Sequence, residues 1–105
     1  MKEVSVQELK SMIDSKEDFQ LIDVREQNEY DFCHINGELV PLKTIESYAD
    51  KIRKDVKVVI YCRSGARSGN AVAFLENEFG FENLYNLKGG ILAYSREIDS
   101  SIPLY

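Results

Sequence analysis

The chain has 105 residues, enough for a single domain spanning residues 1–105 and too few for two. Surface scaling puts about 17,000 Å² on the unfolded chain and about 6,000 Å² on the folded one, so a core can form without metal or disulfide support. Apolar residues at 44% and charged residues at 30% exclude a disordered or membrane-embedded chain. A net charge of −5, from 13 basic against 18 acidic side chains, excludes a general nucleic-acid binder but leaves room for a local anion site.

In chain order, Val4 belongs to a short first strand. Ser5 and Glu8 have the spacing of a capping box, and Val6, Leu9, Met12 and Ile13 recur at helical spacing behind it. Phe19–Val24 is a short apolar run with the length of a buried strand, and Glu29–Cys33 suggests a short helix. An extended piece, Glu38–Leu42, precedes Thr44, which is placed to cap a helix over Ile45–Arg53. The clearest strand is Val56–Tyr61, whose near-continuous apolarity suits a parallel strand covered on both faces. It runs straight into Cys62-Arg63-Ser64-Gly65-Ala66-Arg67. Ala71, Val72, Phe74, Leu75 and Phe79 then mark a helix that Gly80 closes. Asn83–Leu87 is a further strand, Lys88-Gly89-Gly90 a turn, and Ile91–Ile98 a last helix. Strands alternating with helices imply crossovers, and so an α/β fold with a mostly parallel sheet flanked by helices on both faces.

Two cysteines, Cys33 and Cys62, are too few for a secreted disulfide scaffold. The acidic start has no apolar run of signal-peptide type, and no stretch is long enough to span a membrane. The expected compartment is the cytoplasm, with both thiols reduced. Cys62 stands where the most apolar strand ends and a helix begins. Unpaired N–H groups and the helix dipole there favour a thiolate, and Arg63 and Arg67 add positive charge. The same donors would hold an anionic substrate, and Gly65 allows the tight curvature of a backbone cradle. The other reading of Cys62 is a small buried hydrophobe beside two solvated arginines. One histidine and two separated cysteines offer no metal site.

Over almost its whole length the chain resembles the rhodanese family of sulfurtransferases. The matching pieces are Leu21–Glu26, Glu29-Tyr30 leading to His34-Ile35-Asn36-Gly37, Pro41-Leu42, Val59–Ser68 and Leu87–Ile91. The resemblance implies a persulfide-forming Cys62, with Arg63, Ser64, Gly65, Ala66, Arg67 and Ser68 supplying the substrate-binding loop. It implies ping-pong transfer of sulfur from a donor such as thiosulfate to cyanide or a thiol, without metal or organic cofactor. Two rivals remain: a non-catalytic rhodanese-like binding or regulatory module, and a cysteine phosphatase. The phosphatase pattern needs an arginine one residue later, where Ser68 stands. His34 is expected to hold its own turn, and Asp23 and Arg25 to pair structurally. Cys33 is read as a passive neighbour, the alternative being a resolving thiol, while Tyr30, Tyr85 and Phe79 are read as core. The tail from Leu87 to Tyr105 is similar to that of rhodanese domains fused to the adenylating enzymes of molybdopterin and thiamine biosynthesis. That similarity makes a sulfur-carrier protein or a fused adenylating domain the expected partner, and allows the chain to be part of a longer fusion.

Overall fold

A computed structural model describes residues 1–105. Five strands, β1 (Glu3–Val4), β2 (Phe19–Asp23), β3 (Glu38–Leu39), β4 (Lys57–Tyr61) and β5 (Leu84–Leu87), form one sheet in the order β1-β5-β4-β2-β3. Every pairing is parallel, so each connection must cross over a face of the sheet. The helices α1 (Val6–Asp14), α2 (Gln27–Phe32), α3 (Ile45–Tyr48), α4 (Ala66–Phe79) and α5 (Gly90–Glu97) supply those connections and the closing layer.

Alternation along β4 divides the core in two. Val58, Ile60 and Cys62 face α3 and α4, where Ile45, Ala71, Val72 and Leu75 pack. Val59 and Tyr61 face α1 and α5, against Val6, Leu9, Met12, Ile91 and Tyr94. Burial on both faces explains why the β4 sequence is apolar without alternation. Folded, the chain exposes 5659 Å², close to the area expected for its length.

Local chemistry sets most boundaries. Ser5 Oγ accepts from the Glu8 N–H at 3.0 Å and Glu8 Oε1 from the Ser5 N–H at 3.0 Å, the reciprocal pair that starts α1. Gly80 ends α4 at φ 70°, in the left-handed region. Two helices depart from expectation. α2 begins two residues early, its first turn closed by Glu26 N–H donating to Glu29 Oε1 at 3.1 Å. The helix expected over Ile45–Arg53 shrinks to α3 and a 3₁₀ turn at Ala49–Lys51. Thr44 does not cap it, because its hydroxyl donates to Pro41 O at 2.8 Å. Beyond Lys51 the backbone is drawn away: Gln20 Oε1 of β2 accepts from the Arg53 N–H at 2.8 Å, and Asn83 Nδ2 donates to Arg53 O at 2.8 Å. Phe79 also departs from its expected place in the core. At the last turn of α4 it is 41% exposed, touching Phe74 edge-on.

Candidate active site

Cys62 follows the last residue of the central strand β4, at the carboxyl edge of the sheet, where parallel folds place their ligands. The residue is buried, and its Sγ accepts from the Gly65 N–H at 3.1 Å and lies 3.3 Å from Ser68 Oγ. Gly65 adopts φ 110°, which a residue with a Cβ would reach only under strain, and there the chain turns from the sulfur into α4. The turn is shorter than expected: α4 starts at Ala66, so Ala66, Arg67 and Ser68 lie in its first turn rather than in the loop.

The carbonyls of that turn face the other way. Cys62 O accepts from the Ile91 N–H at 2.9 Å and Arg63 O from the Leu92 N–H at 3.1 Å. The start of α5 thus takes up the oxygens and leaves the nitrogens for the sulfur. Gly90 makes the approach possible, since a Cβ at that position would stand 2.6 Å from Cys62 O.

Burial pushes the Cys62 thiol up, while the Ser68 hydroxyl and the amides of Ser68, Gly65 and Ser64 pull it down; the net effect is a pKa below the ordinary thiol value. The donors that outweigh burial are therefore in the cradle; Arg67 adds a weaker charge attraction to Cys62, and both arginines named by the sequence make their hydrogen bonds elsewhere. Arg67 forms a two-pronged pair with Glu29 of α2, at 2.6 Å and 2.8 Å. Its guanidinium holds the Glu29 carboxyl well below the usual range, at about 2. Arg63 points away from the sulfur: its Nε donates to the main-chain oxygen of Tyr105 at 2.6 Å, and its Nη2 meets the same atom. Ser64 is exposed at the turn, and Ser68 is buried behind the sulfur.

The other polar residues singled out in the sequence, Asp23, Arg25 and His34, have structural partners. Asp23 and Arg25, both fully buried, pair at 2.7 Å, and Arg25 also donates to Cys33 O at 2.8 Å and to the Tyr105 hydroxyl at 3.0 Å. That hydroxyl in turn donates to Glu29 Oε2 at 2.7 Å, tying the end of the chain to the Arg67 pair. His34 Nδ1 accepts from the Asn36 N–H at 3.0 Å and its ring stacks on Tyr30, so it holds its turn as expected. Cys33 belongs to the core on the opposite face of the sheet from Cys62, and both thiols are free.

Glu29 and Asn86 were not named as site residues from the sequence. Asn86 is the one polar residue in β5, and it is buried. Its Nδ2 donates to Gly65 O at 3.1 Å, and its Oδ1 accepts from Ser68 Oγ at 2.6 Å. A buried amide in an otherwise apolar strand was the available signal.

A parallel α/β sheet with a cysteine in an amide cradle at its carboxyl edge defines the class as a cysteine-centred α/β domain. Residues 5–97 match the family described as the rhodanese-like domain, and the chain belongs to that family. It is 39% identical over 95 residues to a sulfurtransferase of Allochromatium vinosum, covering 90% of this chain and 88% of that protein. It is 34% identical over 105 residues to the probable adenylyltransferase/sulfurtransferase MoeZ of Mycobacterium tuberculosis, covering 97% of this chain. The chain spans only 26% of that mycobacterial protein's length, and 38% of a chloroplastic rhodanese-like/PpiC domain-containing protein of Arabidopsis thaliana. Among solved structures, the rhodanese-like domain protein of Staphylococcus aureus superposes with a TM-score of 0.83 at 28% identity, covering 100% of this chain and 99% of that one. No helix is long and apolar enough to cross a membrane.

Proposed function

We propose that the chain is a sulfurtransferase that carries sulfane sulfur on Cys62 as a persulfide. The donor is a small anion such as thiosulfate. The acceptor is cyanide in the test tube, and a thiol or a sulfur-carrier protein in the cell. The observation that carries this reading is Cys62 Sγ seated against the Gly65 N–H at 3.1 Å, with its acidity raised by its neighbours. The Cys62 thiolate attacks the outer sulfur of thiosulfate. A new S–S bond forms as the donor's own S–S bond breaks, and sulfite leaves with the electron pair. Cyanide then attacks the outer sulfur of the persulfide, thiocyanate departs, and the Cys62 thiolate returns. The covalent intermediate splits one difficult transfer into two easier ones. Amides that stabilise the thiolate are placed to stabilise the persulfide anion as well, in the manner of an oxyanion hole. The names of the relatives, a sulfurtransferase and an adenylyltransferase/sulfurtransferase, support sulfur transfer.

The test is the intact mass after incubation with thiosulfate. Gain of a single sulfur atom, reversed by cyanide and absent in Cys62→Ser, is the expected result. Cys62→Ala should abolish thiocyanate production, whereas Cys33→Ala should leave it within about twofold of wild type, because Cys33 lies across the sheet. Comparable loss in both variants would overturn the single-cysteine mechanism.

A further inference from the structure

Asn86 acts on two of the donors to Cys62, the Gly65 turn and the Ser68 hydroxyl, without touching the sulfur. Its Nδ2 donates to Gly65 O at 3.1 Å, and because a carbonyl oxygen only accepts, this bond fixes the orientation of the amide. Oδ1 is thereby directed at Ser68 Oγ, 2.6 Å away. An amide oxygen cannot donate, so the single hydrogen of the Ser68 hydroxyl is drawn to Asn86. Ser68 Oγ also lies within donating distance of Cys62 Sγ, at 3.3 Å, but a hydrogen given to Asn86 is not available there, and a lone pair facing the sulfur suits the neutral thiol. The thiolate needs the opposite: the hydrogen must leave Asn86 and turn to the sulfur, stranding a buried amide oxygen. One hydroxyl hydrogen is claimed from two sides.

We propose that Asn86 is a positioning residue that sets the thiol–thiolate balance of Cys62 by competing for the Ser68 hydrogen. The inference rests on Cys62 being the reactive thiol of the proposed transfer. Its chemical purpose follows from how thiols attack. The amide cradle favours the thiolate, yet nucleophilicity falls as thiol pKa falls, and the best attacking thiol titrates near ambient pH. Asn86 restrains the cradle while its Nδ2 keeps Gly65 in place. The charged groups at this end of the sheet are Arg63, next to Cys62 in the chain with its side chain turned to Tyr105, Arg67 of α4, Glu29 of α2, the Asp23–Arg25 pair at the end of β2 and Lys88 after β5. All of them stay constant in the variants that test the idea.

The experiment follows the ultraviolet absorbance of the thiolate against pH, taken as the difference from Cys62→Ser. In Asn86→Ala the Ser68 hydrogen is released to the sulfur, and the midpoint should fall by about half a unit, a roughly threefold shift in the ionisation constant. Asn86→Asp keeps the outline and, ionised, holds the hydrogen more firmly and adds negative charge, at the loss of the Nδ2 bond to Gly65 O, so its midpoint should rise by about one unit. Because the effect runs through Ser68, the midpoints of Ser68→Ala and Ser68→Ala/Asn86→Ala should coincide. An unchanged or raised midpoint in Asn86→Ala, or a shift that survives undiminished without Ser68, would overturn the proposal. Urea unfolding verifies each fold. Should Asn86→Ala not fold, the isosteric Asn86→Asp decides, and an unmoved midpoint there overturns the proposal too. The titration needs no sulfur donor. A wild-type protein that never gains sulfur would sink the transfer reading while leaving the Asn86 result legible.

Discussion

Arg67 sits one turn from the sulfur with its charge already matched. Glu29 grips both of its terminal nitrogens, at 2.6 Å and 2.8 Å, and a donor anion must share or displace that carboxylate. Bidentate charged pairs are among the stronger hydrogen-bonded contacts, so the competition would be costly for the proposed donor, thiosulfate. We expect Arg67→Ala to raise the KM for thiosulfate more than Arg63→Ala, whose side chain is directed to Tyr105. Glu29→Gln leaves one oxygen to accept from Arg67, gives up the second bond and removes the negative charge, and should lower that KM by about tenfold, or ~1.4 kcal/mol. Initial rates across a thiosulfate series check all three variants. Wild-type donor kinetics throughout would mean that the amides alone bind the anion. The residue scale also shows what the sequence could carry. Cys62, Gly65 and Ser68 were legible because strand, nucleophile, turn and helix follow one another along the chain. Glu29 and Asn86 were not, because one lies 38 and the other 18 residues from its partner and only the parallel pairing of strands brings them in.

At the scale of elements, the cradle is built by two helices rather than one. The sequence located the helix that follows Cys62, and its N-terminus was expected to activate the thiol. The start of α5 proves equally necessary, since it takes the carbonyls of Cys62 and Arg63. Gly89-Gly90 was read as a turn, which is correct for the backbone but omits the reason for the second glycine. Gly90 has φ 62° and lies against the backbone of the cysteine turn. Gly90→Ala adds left-handed strain and a clash with main-chain atoms that cannot move aside, costing about 2–4 kcal/mol together. Urea unfolding should show this as a lower midpoint with an unchanged slope. A loss under about 0.5 kcal/mol would mean that the turn gives way more easily than its packing suggests. The shortened α3 teaches the complementary lesson. Ile45, Ala49 and Ile52 are all buried as a continued helix would have them, but hydrogen bonds from Gln20 and Asn83 ended the helix early, and neither was visible from local sequence.

Across the whole molecule, the buried charges, and all the half-buried ones but Glu76, gather at the carboxyl edge of the sheet. Arg25 links Asp23, Cys33 O and the Tyr105 hydroxyl, and Tyr105 links onward to Glu29 and Arg67. Such a network makes acid stability a property of the site. The Glu29 carboxyl is held down to about 2 by Arg67, below the unfolded-chain value of about 4.3. A group whose folded pKa is depressed contributes stability above its unfolded value and loses it as the pH falls through the folded value. The contribution of Glu29 is therefore complete near neutrality and disappears between about pH 4.5 and pH 2. Arg67 is partly open to solvent, which screens the pair, so the amount is on the order of 2 kcal/mol. Unfolding free energies measured from pH 7 down to pH 3 should hold nearly level to about pH 5 and then decline. Glu29→Gln should begin lower at neutral pH and decline less steeply, the two curves converging in acid. Parallel curves would show that other carboxylates govern acid unfolding and that the Glu29–Arg67 pair adds nothing to the fold.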